Sequence, residues 1–238
     1  MSKKQLLIAG LAAAFVMPAA ALPFQFDIDD DVQSPGNTQS GFASLSDIGD
    51  GVIDGNLQGT DDGVTVVVTG FANGSGRDRG VGGSQGIDND NNGVPEGTFS
   101  DLYRDLHFAN PNQTVTVSLS GLEADTSYLV TAFSYDSGAF NGTAVQQDFL
   151  VGSTVVAELD YEGDLSSGPG PDPNTDLLTD YSVTFEITAD GSGNAVFTTV
   201  SDGTQGARLN GLIVDIPEPS SLALMGLGGL LIARRRRG

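Results

Sequence analysis

Apolar residues in this chain recur at every second position in short runs, and glycine interrupts nearly every run. The cleanest case is Thr114-Val115-Thr116-Val117-Ser118-Leu119-Ser120, where Val115, Val117 and Leu119 share one side. Tyr181, Val183, Phe185 and Ile187 repeat the pattern, with Ser182, Thr184 and Glu186 between them. A period of two buries one face of a strand and wets the other, and it does not suit a helix. The same criterion marks strands at Val64–Phe71, Tyr128–Tyr135, Gln147–Val151, Thr154–Asp160, Ala195–Val200 and Arg208–Val214. Asp190-Gly191-Ser192-Gly193-Asn194 separates two of them and reads as a hairpin loop. The 33 glycines supply turns, and no helical periodicity stands out between residues 22 and 216. Many short strands with glycine-rich turns predict an all-β body, a single β-sandwich of the jelly-roll or the fibronectin/galactose-binding-like kind.

The two ends follow other rules. Lys3 and Lys4 precede an apolar run from Leu6 to Val16, and Ala19-Ala20-Ala21 offers a small-residue cleavage pattern. Residues 1–21 are therefore expected to be a secretory signal peptide, read by the secretion translocon and cut after Ala21. At the other end, Pro217-Glu218-Pro219 leads into an uncharged run from Ser220 to Ala233, followed by Arg234, Arg235, Arg236 and Arg237. Prolines around one acid resist helix and central strand, so the tripeptide is expected to stay extended and reachable. The apolar run suits a transmembrane helix, although it would be only about 21 Å long. The arginines are expected to stay on the cytoplasmic side.

This order of parts resembles the PEP-CTERM sorting tail of bacterial envelope proteins. The resemblance implies processing near Pro217, Glu218 and Pro219 by an exosortase, a membrane protease-transpeptidase. Arg234–Arg237 would be the membrane-stop cluster. The resemblance also implies an exported protein held briefly in the inner membrane before reaching the cell surface or exterior, in bacteria that make exopolysaccharide. Three regions are expected: signal peptide 1–21, body 22–216 and sorting tail 217–238.

The body keeps only Arg77, Arg79, Arg104 and Arg208 against 30 acidic residues, a formal charge of −26. Such a surface repels nucleic acid, which is not an expected partner. Without cysteine, disulfides and thiolate chemistry are excluded. His107 is the single histidine, so a multi-histidine metal site is excluded too, and it reads as a strand residue. Neighbouring carboxylates, such as Asp101 with Asp105, or Glu158 with Asp160 and Glu162, arise by chance in so acidic a body. A non-enzymatic role is therefore expected. With no tryptophan, Tyr103 and Tyr161 are the platforms left for stacking on a sugar.

Two long loops are expected, Asn73–Gly97 and Gly163–Asp176, and the acidic segment Leu22–Asn56 reads as loop with an edge strand around Phe24–Ile28. In the first loop, Asp88, Asp90 and Asn92 alternate before Gly93 and resemble the first half of an EF-hand-type calcium loop. Glu96 would complete the oxygen ligands, because the twelfth place holds Phe99. The same residues also suit a solvated polar turn. Asp27-Ile28-Asp29-Asp30-Asp31 is a weaker calcium candidate, otherwise a charged surface. The stretch from Leu119 to Tyr128 resembles the corner of fibronectin type III-like domains, which implies a Tyr128 hydroxyl bonded to backbone a few residues upstream. Ala207–Val214 is similar to the last strand of galactose-binding-like jelly rolls. The expected function is a structural or adhesive envelope or matrix protein linked to exopolysaccharide. The alternatives are a calcium-dependent carbohydrate-binding module and a secreted glycan-active hydrolase.

Overall fold

The computed structural model describes residues 22–28, 38–47, 56–72, 77–78, 102, 105–135, 144–162, 181–201 and 206–216. Their regular structure is nearly all β. The strands are β1 (Phe24–Ile28), β2 (Ala43–Asp47), β3 (Leu57–Asp61), β4 (Val64–Thr69), β5 (Arg77–Asp78), β6 (Asp105–Phe108) and β7 (Thr114–Ser120). They continue with β8 (Ser127–Phe133), β9 (Ala144–Val151), β10 (Thr154–Glu162), β11 (Ser182–Thr188), β12 (Ala195–Ser201), β13 (Arg208–Leu209) and β14 (Gly211–Asp215).

Alternation decides which faces are buried. Val64, Val66 and Val68 on β4 are inside, as are Val115, Val117 and Leu119 on β7, while Thr65, Val67, Thr116 and Ser118 between them are only part-buried on the other face. On β11, Phe185 and Ile187 are buried while Thr184 and Glu186 are exposed. Ser182 departs from the pattern and is buried where the strand begins, beside the bond from Ser134 N–H to the Tyr181 carbonyl.

Eleven strands form one mixed sheet in the order β10-β9-β12-β7-β4-β3-β2-β1-β14-β8-β11, and β13-β6-β5 form a small second sheet. All ladders are antiparallel except β1 with β2. The large sheet folds over on itself, in a barrel-like way. Phe185 of β11, at one end of the strand order, lies 5.5 Å from the Phe149 ring of β9 and 5.1 Å from the Phe197 ring of β12, near the other. The two halves enclose one core that runs from Phe26 and Leu45 to Phe149, Phe197 and Leu212.

Four expectations need correction. Asp190–Asn194 is no hairpin, because β11 pairs with β8 whereas β12 pairs with β7 and β9. The turn closes locally, through Asp190 N–H to the Asn194 carbonyl at 2.7 Å, but it arches from one half of the sheet to the other. The Phe185 and Phe197 rings meet edge-on across the core, 5.1 Å apart. Second, β1 is no edge strand; it sits between β2 and β14, and Asp27 is buried and accepts from Gln39 N–H, so it is not charged surface. Third, Arg208–Val214 is two strands. Asn210 leaves the ladder to bond three neighbours: its N–H donates to the Phe133 carbonyl, its carbonyl accepts from Ile28, and its Oδ1 accepts from Tyr135 N–H at 2.6 Å. Fourth, segments read as loop hold β2 and β5, and β3 follows directly. His107 is a strand residue as expected, buried in β6 with its ring 5.3 Å from Phe71.

Candidate functional site

The last strand determines where the expected sorting segment leaves the body. β14 is laddered on both sides, to β1 and to β8. Leu212 and Val214 are fully buried, so the strand is anchored by packing as well as by hydrogen bonds. The register sets Phe24 opposite Val214 and Leu129 opposite Asp215. Hence β1 begins where β14 ends. Ile216 still packs partly against the core, and Pro217 is the next residue. The body spends no slack chain before the proline-flanked acid.

Three turns surround this exit. The β3–β4 hairpin carries Asp62 and Gly63, both at positive φ (44° and 89°), as a two-residue turn of the primed kind requires. The corner from Gly121 to Thr126 rests on it: Gly121 has φ 83°, and a side chain there would strike the Gly63 carbonyl. The corner is pinned by Glu123 N–H donating to the Tyr128 hydroxyl at 2.8 Å, as the resemblance implied. The third turn is the Asp190 arch. Asp190 Oδ1 accepts from Asn194 N–H at 2.9 Å and Ser192 N–H at 2.8 Å, and these bonds hold its pKa below the ordinary aspartate value.

Between the start of β1 and the β3–β4 turn lies a depression of about 420 Å³, lined by Leu22, Pro23, Phe24, Gln25, Gly41, Asp61 and Asp62. Leu22 is 84% exposed. Gln25 N–H donates to Asp61 Oδ2 at 2.9 Å, which joins the turn to β1. Partly exposed apolar side chains and the Asp61 and Asp62 carboxylates thus stand together beside the exit of the tail. Glu123, Asp125, Asp190 and Asp215 add exposed carboxylates to the same end. The described basic residues lie elsewhere, Arg77 on β5 and Arg208 on β13.

The opposite end of the core turns polar. Gln147 occupies an inward position of β9, where alternation calls for an apolar residue. Its Oε1 accepts from Arg208 N–H at 2.8 Å and meets Ser134 Oγ at 3.2 Å, and its Nε2 donates to the Arg208 carbonyl at 2.9 Å. The Arg208 guanidinium donates to the Gly206 carbonyl at 2.8 Å. Ser201 and Thr199 are buried on the adjoining strand. These bonds tie β13 to β9 and make the network a structural clamp. Sequence reasoning missed both the depression and the clamp. The signals were an Asp-Gly pair just before a valine-rich run, and a glutamine in an apolar register position.

Of the residues singled out in the sequence, Pro217, Glu218, Pro219, Arg234, Arg235, Arg236 and Arg237 lie outside the described residues, as do Asp88, Asp90, Asn92 and Glu96. The signal peptide lies outside them too. Among the described residues, no group of three or more acidic or histidine side chains could hold a metal ion, and no helix is long and apolar enough to cross a membrane.

Residues 215–237 match the PEP-CTERM protein-sorting motif. The match begins on the final residue of β14. The motif implies processing by an exosortase, a membrane protein, and hence an exported chain anchored transiently in the membrane. No curated protein matches the chain in sequence. Among solved structures, a Bacillus subtilis protein aligns at 15% identity over 82% of this chain and 40% of its own, with a TM-score of 0.42. A family GH115 4-O-methyl-α-glucuronidase aligns at 13% identity over 52% of this chain and 15% of its own, with a TM-score of 0.35. A family 35 carbohydrate-binding module from Clostridium thermocellum aligns at 15% identity over 45% of this chain and 76% of its own, with a TM-score of 0.27. The chain thus spans well under two thirds of the first two structures.

Proposed function

We propose, starting from the sorting motif at residues 215–237, that this is a non-enzymatic protein delivered by an exosortase-type system to the cell envelope or the extracellular matrix. There its acidic jelly-roll body serves a structural or adhesive role alongside exopolysaccharide. One observation carries this: the motif starts where the last core strand stops, so the β-body runs directly into a processing signal. A body of formal charge −26 stays soluble and unattached to anionic surfaces, which suits material embedded in a hydrated matrix.

The test is the intact mass of the protein recovered from the surface of a host that makes the enzyme. The parent chain is expected to lack both ends. The substitution Glu218→Ala is expected to leave the arginine-bearing tail attached and the protein in the membrane fraction. Recovery of a tail-bearing parent at the surface would overturn the assignment. Glycan binding by the mature protein, with and without chelator, separates the roles: binding lost on chelation favours a calcium-dependent module, for which Asp88, Asp90, Asn92 and Glu96 are the candidate ligands, and absence of binding supports the structural role.

A further inference from the structure

The spacing between the body and the motif limits what a processing enzyme can touch. From Ile216 to Ser220, the first residue of the apolar run, the chain advances four residues, at most about 14 Å when fully extended. β14 cannot lengthen this tether, because both of its sides are laddered and Leu212 and Val214 are buried. A body of this size has a radius of gyration of about 16 Å. With the apolar run in the bilayer, the end of the sheet that carries Asp215 is therefore held against whatever surrounds the motif. Anionic lipid is a poor neighbour for it by like-charge repulsion, since Asp61, Asp62, Glu123, Asp125, Asp190 and Asp215 all lie at this end.

We infer that the depression formed by Leu22, Pro23, Phe24, Asp61 and Asp62 is the surface that docks on the processing enzyme. This rests on the exosortase assignment above and extends it from the motif to the folded body. The partner face is an outer loop of the membrane enzyme that carries an apolar side chain for the exposed Leu22 and part-buried Phe24, and a basic one for the Asp61 and Asp62 carboxylates. Such a contact would add recognition that the tripeptide alone lacks, and it would present the motif in one orientation.

The experiment follows conversion of tail-bearing to tail-less full chain by pulse-chase in a host that makes the enzyme. Asp61→Asn with Asp62→Asn removes both charges; asparagine can still accept from Gln25 N–H and tolerates the positive φ of position 62. Asp62→Asn alone is the milder variant should the pair lower stability. Conversion is expected to slow roughly threefold or more in the pair, as loss of a rim charge slows association. A twelve-residue Gly/Ser spacer after Ile216 is expected to slow the parent and to erase the difference between parent and variant, because the motif then no longer presents the body. Parent-rate conversion of both neutralised chains would overturn the inference. So would faster conversion on adding the spacer, which would make the body an obstacle. Glu218→Ala is the separate control: unchanged conversion there defeats the exosortase assignment itself.

Discussion

Tyr128→Phe removes one oxygen from the corner that joins β7 to β8. The ring is buried to 1% exposure, so phenylalanine keeps its packing and opens no cavity. What is lost is the acceptor for Glu123 N–H, 2.8 Å away and only part-buried. Loss of such a bond costs about 1–2 kcal/mol, and toward the lower figure because water reaches the freed N–H. For a body of about 200 residues that is a fall in Tm of roughly 2–6 °C. Tyr128→Ala removes the ring as well and is expected to cost about 3–5 kcal/mol. Urea unfolding of purified mature protein is the assay. Tyr128→Phe should lower the midpoint with the slope unchanged, and Tyr128→Ala should lower it two- to threefold further. A Tyr128→Phe midpoint equal to the parent's would show that the corner is held by packing alone. One equal to that of Tyr128→Ala would show that the hydroxyl, and not the ring, carries the corner.

Gln147→Leu keeps the shape of an inward β9 residue but strips both backbone partners from Arg208; it is expected to cost about 3–5 kcal/mol in the same assay. Asp190 is read through pH. Its backbone donors lower its pKa in the folded state, so its contribution is present above the ordinary aspartate value and is lost as pH falls through the folded one. The difference in stability between parent and Asp190→Asn should therefore be flat from about pH 5 to 8 and should shrink below about pH 4. A difference that stays constant to pH 2 would show that the carboxylate's charge is irrelevant to the arch.

The strands that alternate cleanly were legible because one face of each meets a single core, as in β4, β7 and β12. β2 and β3 were not. Ala43-Ser44-Leu45-Ser46-Asp47 and Leu57-Gln58-Gly59-Thr60-Asp61 offer too few apolar residues to declare a face, and they become strands because β1 and β4 provide ladders for them. The Asp62-Gly63 turn could have been read from its residues alone. The inward Gln147 could not be assigned a role, because its partners on β13 lie 61 residues away.

Local chemistry in the sequence determined that the body is built from strands, where glycine bends the chain, that Tyr128 closes a corner, and that residues 215–237 carry an address. Each of these depends on a continuous stretch of the chain. Only the tertiary structure decided which strands lie side by side. It turned an apparent hairpin at Asp190 into an arch, moved β1 from the rim to the interior, and set the beginning of the body against its end. Those outcomes depend on how separate apolar faces share one core, and no short stretch of residues contains that information.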